Sequence, residues 1–194
     1  MDVTDDEHIV ALCGSQRGDS YTRHALERAL AAARARGATT DLVDLAALDL
    51  PLFDPDHGDA GDAAELRRRV GEADGILLGS PMYHGSYSSV LKTAIDYCSF
   101  DEFEGVTVGL LVVAGGGFPT PVLAHLRAVA RELDAWVVPE EVAIPNASAA
   151  FADGQLVDDD LADRVETLGT KLVDYAGVEA YPENTVACAV PGAD

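Results

Sequence analysis

Gly14-Ser15-Gln16-Arg17-Gly18-Asp19-Ser20 joins an apolar run, His8 to Cys13, to a segment from Tyr21 to Arg36 that places Ala25, Leu26, Ala29, Leu30 and Ala33 along one face and ends at Gly37. The spacing predicts strand, loop and helix, the opening unit of an α/β fold. The first N–H groups of a helix lack intrahelical partners and carry partial positive charge, so a loop of this composition at a helix start is suited to an anion. It carries no Gly-Lys-Ser/Thr of a nucleotide P-loop, and Gly14 and Gly18 do not make a dinucleotide G-x-G-x-x-G. What remains is hydroxyls and one guanidinium. Ser15, Ser20 and Thr22 can donate to phosphate oxygens, Arg17 can pair through its fork, and Ser20 can also cap the helix. A plain strand-to-helix turn with a serine cap has no need of Arg17; Asp19 is expected to point away.

Outward from this loop, strands are expected at Thr39–Leu45, Gly75–Gly79, Val106–Ala114 and Ala135–Pro139. Helices are expected at about 62–72 and 89–98, over Leu123–Leu133, and at about 160–175. Continuous apolar strands alternating with helices give a doubly wound five-stranded parallel sheet, most simply in the order 2-1-3-4-5, with helices on both faces. The ligand crevice of such a sheet lies beyond the carboxyl ends of its strands. Three unusual loops meet there: Ser15–Ser20, Pro81–Ser86 and Gly115–Gly117. In the second, Tyr83 beside His84 and Gly85 can pack on a planar ring, with His84 a lining residue rather than a catalyst. The triple glycine permits close backbone approach. Trp136 is expected in the core, the long loop Leu50–Asp56 reads as functional or at an interface, and Lys92 and Asp96, four apart in the less favourable order for an intrahelical pair, are open to meeting another subunit.

The 194 residues hold 34 acidic against 13 basic side chains, a formal charge of -21, and Lys92 and Lys171 are the only lysines. Such self-repulsion is tolerated when salt screens it, which points to a salt-adapted, halophilic cytoplasmic protein. An acidic surface opposes nucleic-acid binding, and Arg67-Arg68-Arg69 between Glu65 and Glu72 reads as a solvated helix face. No apolar run approaches the ~18 residues of a membrane span, and Met1–Glu7 lacks the charge and apolar core of a signal peptide. Cys13, Cys98 and Cys188 have no metal-ligand spacing, and the first two read as small core residues. One domain over 1–194 is expected, with residues 1–7 and about 178–194 as terminal extensions, the latter surface-laid or frayed.

The motifs Gly14-Ser15-x-Arg17-x-x-Ser20-x-Thr22-x-x-Ala25-Leu26, Ser80-Pro81-x-Tyr83-His84-Gly85-Ser86-x-Ser88-Ser89-x-Leu91-Lys92-x-Ala94-x-Asp96, and Gly115-Gly116 followed by a helix and Trp136-Val137-Val138-Pro139 resemble the NADPH-dependent FMN reductase family of flavodoxin-like proteins over about residues 8 to 145, which implies a flavodoxin-like fold for the doubly wound sheet. The resemblance implies noncovalent FMN, its phosphate on Ser15, Arg17, Ser20 and Thr22 with Tyr21 beside them. It implies a ring held by Pro81, Met82, Tyr83, His84, Gly85, Ser86 and by Gly115, Gly116 and Gly117. It further implies NADPH or NADH as hydride donor, a small acceptor (free flavin, quinone, azo compound or metal oxyanion), and a homodimer or homotetramer. Thr22 stands where the family usually has Asn, Met82 where an acid is common, and Ser89 where glycine is usual. A flavodoxin-type electron carrier without NAD(P)H activity and a flavin-free doubly wound binding protein are the alternative readings.

Overall fold

The computed structural model describes residues 7–177. Strands β1 (His8–Cys13), β2 (Thr39–Asp44), β3 (Gly75–Pro81), β4 (Thr107–Val113) and β5 (Trp136–Ile144) pair in parallel in the order β2-β1-β3-β4-β5. Helices α1 (Tyr21–Ala35), α2 (Ala63–Gly71), α3 (Ser89–Tyr97), α4 (Phe100–Phe103) and α5 (Thr120–Glu132) fall between them. After β5 come a short helix α6 (Ala147–Ala150), a hairpin of β6 (Phe151–Ala152) and β7 (Gln155–Leu156), and α7 (Asp159–Tyr175). The expected strand order and alternation are present. Residues 1–6 and 178–194, which hold most of the expected terminal extensions and Cys188, lie outside the described residues.

The inner strands are apolar without interruption because both faces are covered. Ile9, Ala11 and Cys13 of β1, with Leu77, Leu111 and Val113, pack under α1 and α7. The intervening Val10 and Leu12, with Ile76, Leu78, Leu110 and Val112, pack under α2, α3 and α5. Period two thus feeds two cores at once, each large aliphatic side chain contributing about 1.5–3 kcal/mol on burial. On the first face α1 and α7 nearly touch: a Cβ on Gly169 would stand 2.1 Å from the Ala29 carbonyl oxygen. Cys13 and Cys98 are buried and free, and burial pushes the Cys98 thiol up to about 12.

Several local expectations change. β5 runs through Pro139 to Ile144 instead of ending at the proline. It is an edge strand, and its register against β4 shifts where Val108 pairs with Val137 but Leu110 pairs with Glu141, a bulge at which proline loses no ladder bond. The same edge leaves Trp136 42% exposed rather than in the core. Arg67-Arg68-Arg69 is not simply a solvated face. Arg68 pairs with Glu65 and Glu72 on the surface, but Arg67 reaches Asp59 and the Gly58 carbonyl, and Arg69 grips Asp41 through two bonds of 2.6 and 2.7 Å. Lys92 and Asp96 pair with each other along α3.

Candidate functional site

The three loops converge beyond the carboxyl ends of β1, β3 and β4. Gly14 leaves β1 with its N–H on the Gly79 carbonyl (2.8 Å), and a Cβ there would meet Ser88 Oγ at 2.8 Å and Leu91 Cβ at 2.9 Å. Only glycine lets the first loop lie this close to the start of α3. Ser88 binds the two together: its hydroxyl donates to the Gly14 carbonyl (2.7 Å) and accepts from Leu91 N–H (3.2 Å) as the cap of α3. Its own N–H donates to Ser80 Oγ (2.9 Å), whose hydroxyl donates to the Pro81 carbonyl (2.8 Å). Ser80 and Ser88, both buried, therefore hold the first and second loops in a fixed relation.

In the first loop Ser20 caps α1, accepting from Arg23 N–H at 3.2 Å. Arg23 crosses to Asp44 (2.7 Å) and to the Gly18 carbonyl, pinning the loop to the end of β2. Asp19, the acid at odds with an anion site, is drawn off by His24 Nε2 at 2.9 Å. Most of the basic side chains pair with carboxylates. Of the rest, Arg34 donates to the Thr40 hydroxyl, Arg131 lies in the last turn of α5, and Arg17 lines a cavity. Among the described residues Arg17 has no carboxylate partner, in a chain where acids outnumber bases by 34 to 13.

That cavity, of about 200 Å³, is bounded by Ser15, Arg17, Tyr21, Thr22, Pro81, Met82, Tyr83, Val113, Gly115, Ala147 and Ser148. Its lining includes Arg17 and the buried Ser15 and Thr22, which carry one guanidinium and two hydroxyls. It also includes the flat or apolar side chains of Tyr21, Pro81, Met82, Tyr83 and Val113. Tyr21 is fixed by stacking on Phe151 of the hairpin, with ring centroids 4.7 Å apart. Tyr83 to Ser86 form a two-residue hairpin turn, closed by Tyr83 N–H to the Ser86 carbonyl (2.9 Å) and the reciprocal bond (3.0 Å). His84 and Gly85 at its tip have φ of 50° and 81°, the left-handed pair this tight turn demands. Ser86 Oγ and His125 Nδ1 of α5 share a hydrogen bond at 3.2 Å, tying the turn to the helix after the third loop. That loop is pinned by Ala147 N–H to the Ala114 carbonyl (2.9 Å) and Asn146 N–H to the Gly116 carbonyl (3.0 Å).

Of the residues expected at the site, Ser15, Arg17, Tyr21, Thr22, Pro81, Met82, Tyr83 and Gly115 line this cavity; Ser20, His84, Gly85, Ser86, Gly116 and Gly117 stand outside its lining. Val113, Ala147, Ser148 and the bracing His125 were not foreseen. Ala147 and Ser148 arrive because β5 continues past Pro139 and delivers α6 to the crevice. Hydrogen-bond donors and flat surfaces lining one cavity suit a ligand that carries an anionic group and a planar ring. A hypothetical Cβ on Gly115, Gly116 or Gly117 meets nothing within 4 Å, so this side is open to such a group.

Known proteins resemble the chain in sequence and in fold. The chain is 44% identical over 78 residues to the FMN-dependent NADPH-azoreductase of Staphylococcus saprophyticus (40% of this chain, 42% of that protein). It is 40% identical over 79 residues to the enzyme of the same description from Staphylococcus aureus (41% and 42%). The match thus spans about two fifths of the length of these curated relatives. In fold the chain is similar to FerB, a flavoenzyme NAD(P)H:(acceptor) oxidoreductase of Paracoccus denitrificans (TM-score 0.73, 22% identity, 87% of this chain and 96% of that one). It is also similar to the apo form of an NADH:FMN oxidoreductase (TM-score 0.69, 24% identity, 86% and 90%). The model of the family described as NADPH-dependent FMN reductase matches residues 8–149, which takes in all three loops and the five-stranded sheet that aligns them, and the chain belongs to that family.

Proposed function

We propose that the protein is an NAD(P)H-dependent flavin reductase that holds FMN noncovalently in the cavity between the three loops. The observation that carries this reading is Arg17, a guanidinium without a carboxylate partner among the described residues, set with two buried hydroxyls where a terminal phosphate belongs. FMN bound there would supply the redox chemistry between NADPH or NADH and a small acceptor. The chain's own share is position and electrostatics. Arg17, Ser15 and Thr22 hold the phosphate, and the Ser20 cap and the Arg23 clamp keep their loop in place. Tyr21, Pro81, Met82 and Tyr83 would bound the ring, and the N–H groups of His84 and Gly85 at the tip of the turn and of Gly115–Gly117 are those left to meet its polar edge. Asp19, turned onto His24, is kept from repelling the phosphate.

The test is a visible spectrum of protein purified in high salt, with and without added FMN, followed by anaerobic NADPH. A yellow protein that bleaches supports the reductase. Yellow without bleaching leaves an electron carrier of flavodoxin type, and no colour after adding FMN removes both flavin readings.

The same reading includes a homodimer or homotetramer. Leu52 is 82% exposed on the loop before α2 and lines a cavity of about 340 Å³ together with Gln16, Leu48, Val90 and Thr93, a mixed polar and apolar surface of the kind a second copy could cover. A monomer by light scattering in molar KCl would remove that part. Among the described residues no helix is long and apolar enough to cross a membrane. A cytoplasmic, salt-adapted protein is supported by the charge of -21, and its melting temperature should rise from dilute buffer to molar KCl.

A further inference from the structure

We infer that Phe151 is a positioning residue for the flavin ring, acting through Tyr21, and that the β6–β7 hairpin is the element that carries it; this rests on the flavin-reductase reading above. Tyr21 is the first residue of α1 and lines the cavity. Its ring lies on that of Phe151 with the planes 20° apart and the centroids 4.7 Å apart, a stacked arrangement that aromatic pairs favour. Phe151 is buried and stands outside the lining, so one face of Tyr21 is already taken. The surface that Tyr21 gives the cavity is therefore its other face or its edge.

The hairpin is built to hold its place. Asp153 and Gly154 at its tip have φ of 49° and 75°, the left-handed pair of a two-residue turn for which Asp-Gly is a favoured sequence. Phe151 pairs with Leu156 across the hairpin, both are buried, and the Val157 N–H donates to the Ala150 carbonyl (2.9 Å) at its open end. Two strands this short are not stable alone, so their position is set by what they pack on. For Phe151 that is Tyr21; for the tip it is His24, three residues further along α1, whose ring would stand 3.2 Å from a Cβ on Gly154. The hairpin is thus seated at two points on the first turn of the helix that the phosphate loop leads into.

The stretch that leads into the hairpin reaches the cavity directly, since Ala147 and Ser148 line it. Residues 147–151 therefore form one side of the site, the first part by lining it and the last by backing Tyr21. An aromatic side chain at a helix start with nothing behind it turns about its side-chain torsions, and a ligand that packs on it must freeze them. The stack on Phe151 freezes them beforehand, which removes that ordering cost from binding. The gain falls on the ring of the ligand and not on its phosphate, which is assigned to Arg17, Ser15 and Thr22.

The test is fluorescence titration with FMN and with riboflavin, which has the ring without the phosphate, on wild type, Phe151→Leu, Phe151→Tyr, Tyr21→Leu and the double variant Tyr21→Leu/Phe151→Leu in molar KCl. Leucine keeps the burial at 151 and removes the stack. Phe151→Leu should weaken FMN and riboflavin by the same factor, about fivefold, the scale of one stacked aromatic pair, and Phe151→Tyr should bind both within about twofold of wild type. In the Tyr21→Leu background, adding Phe151→Leu should weaken binding no further, because the second side chain acts only through the first. An unchanged affinity in Phe151→Leu, a loss confined to FMN, or losses that add in the double variant would overturn the inference while leaving the flavin reading intact. A wild type that binds neither flavin would instead overturn the reading beneath it.

Discussion

Two clefts border helix α1, and they differ in the state of their charges. The wider, about 680 Å³, lies between α1, α7 and the β6–β7 hairpin, with Arg28 on Glu166 at 2.7 Å and His24 on Asp19 at 2.9 Å. The narrower, about 200 Å³, lies at the carboxyl edge of the sheet and contains Arg17, which has no carboxylate partner among the described residues. Volume alone favours the first. Satisfied charges ask for nothing, however, whereas an unmatched guanidinium beside buried hydroxyls is a site prepared for an anion. The wide groove also serves the narrow one, because His24 holds Asp19 away from Arg17.

The largest effects that break this comparison come from two glycines. Gly169→Ala on the groove side drives a Cβ toward the Ala29 carbonyl of α1, where rigid backbone cannot yield. A loss of about 3 kcal/mol in unfolding free energy is expected, with FMN affinity of the folded fraction unchanged. Gly14→Ala presses on Ser88 and Leu91 instead, at the junction of the first two loops. Its expected cost is smaller, about 1–2 kcal/mol in stability, but it weakens FMN at least tenfold as the phosphate loop is displaced. Denaturant unfolding and fluorescence titration of both variants in high salt separate the two.

Much of this organisation is legible in the residues, for physical reasons that also mark where legibility ends. The apolar strands, the helix spacing and the three loops follow from local periodicity and from the rule that parallel sheets bind ligands at their carboxyl edge. The unforeseen residues depend on long-range placement. Pro139 reads as a strand end, because nothing local says that β5 is an edge strand with a bulge, and so α6 with Ala147 and Ser148 goes unseen. His125 finds Ser86 and Ser88 finds Gly14 across 39 and 74 residues. Arg69 likewise finds Asp41 across 28, which turns an apparently solvated arginine run into a clamp.

That clamp offers a smaller effect, which sharpens the distinction between charges that are matched and charges that wait. The Arg69 guanidinium holds the Asp41 carboxyl below its ordinary value of 3.8. A depressed folded value means stability present above pH 3.8 and lost as pH falls through the folded value. Asp41→Asn should therefore cost about 1 kcal/mol at pH 7, after discounting for solvent screening, and the gap to wild type should close at the acid end of that window. FMN affinity should not move.

The most direct measurement is a matched calorimetric FMN titration of Arg17→Ala, Arg28→Ala and wild type in molar KCl. Arg17→Ala should weaken binding by about 1.5–3 kcal/mol, the scale of hydrogen bonds to a charged group, while Arg28→Ala binds as wild type does. Equal affinity for wild type and Arg17→Ala, or a loss confined to Arg28→Ala, would contradict the assignment of the phosphate to the narrow cleft.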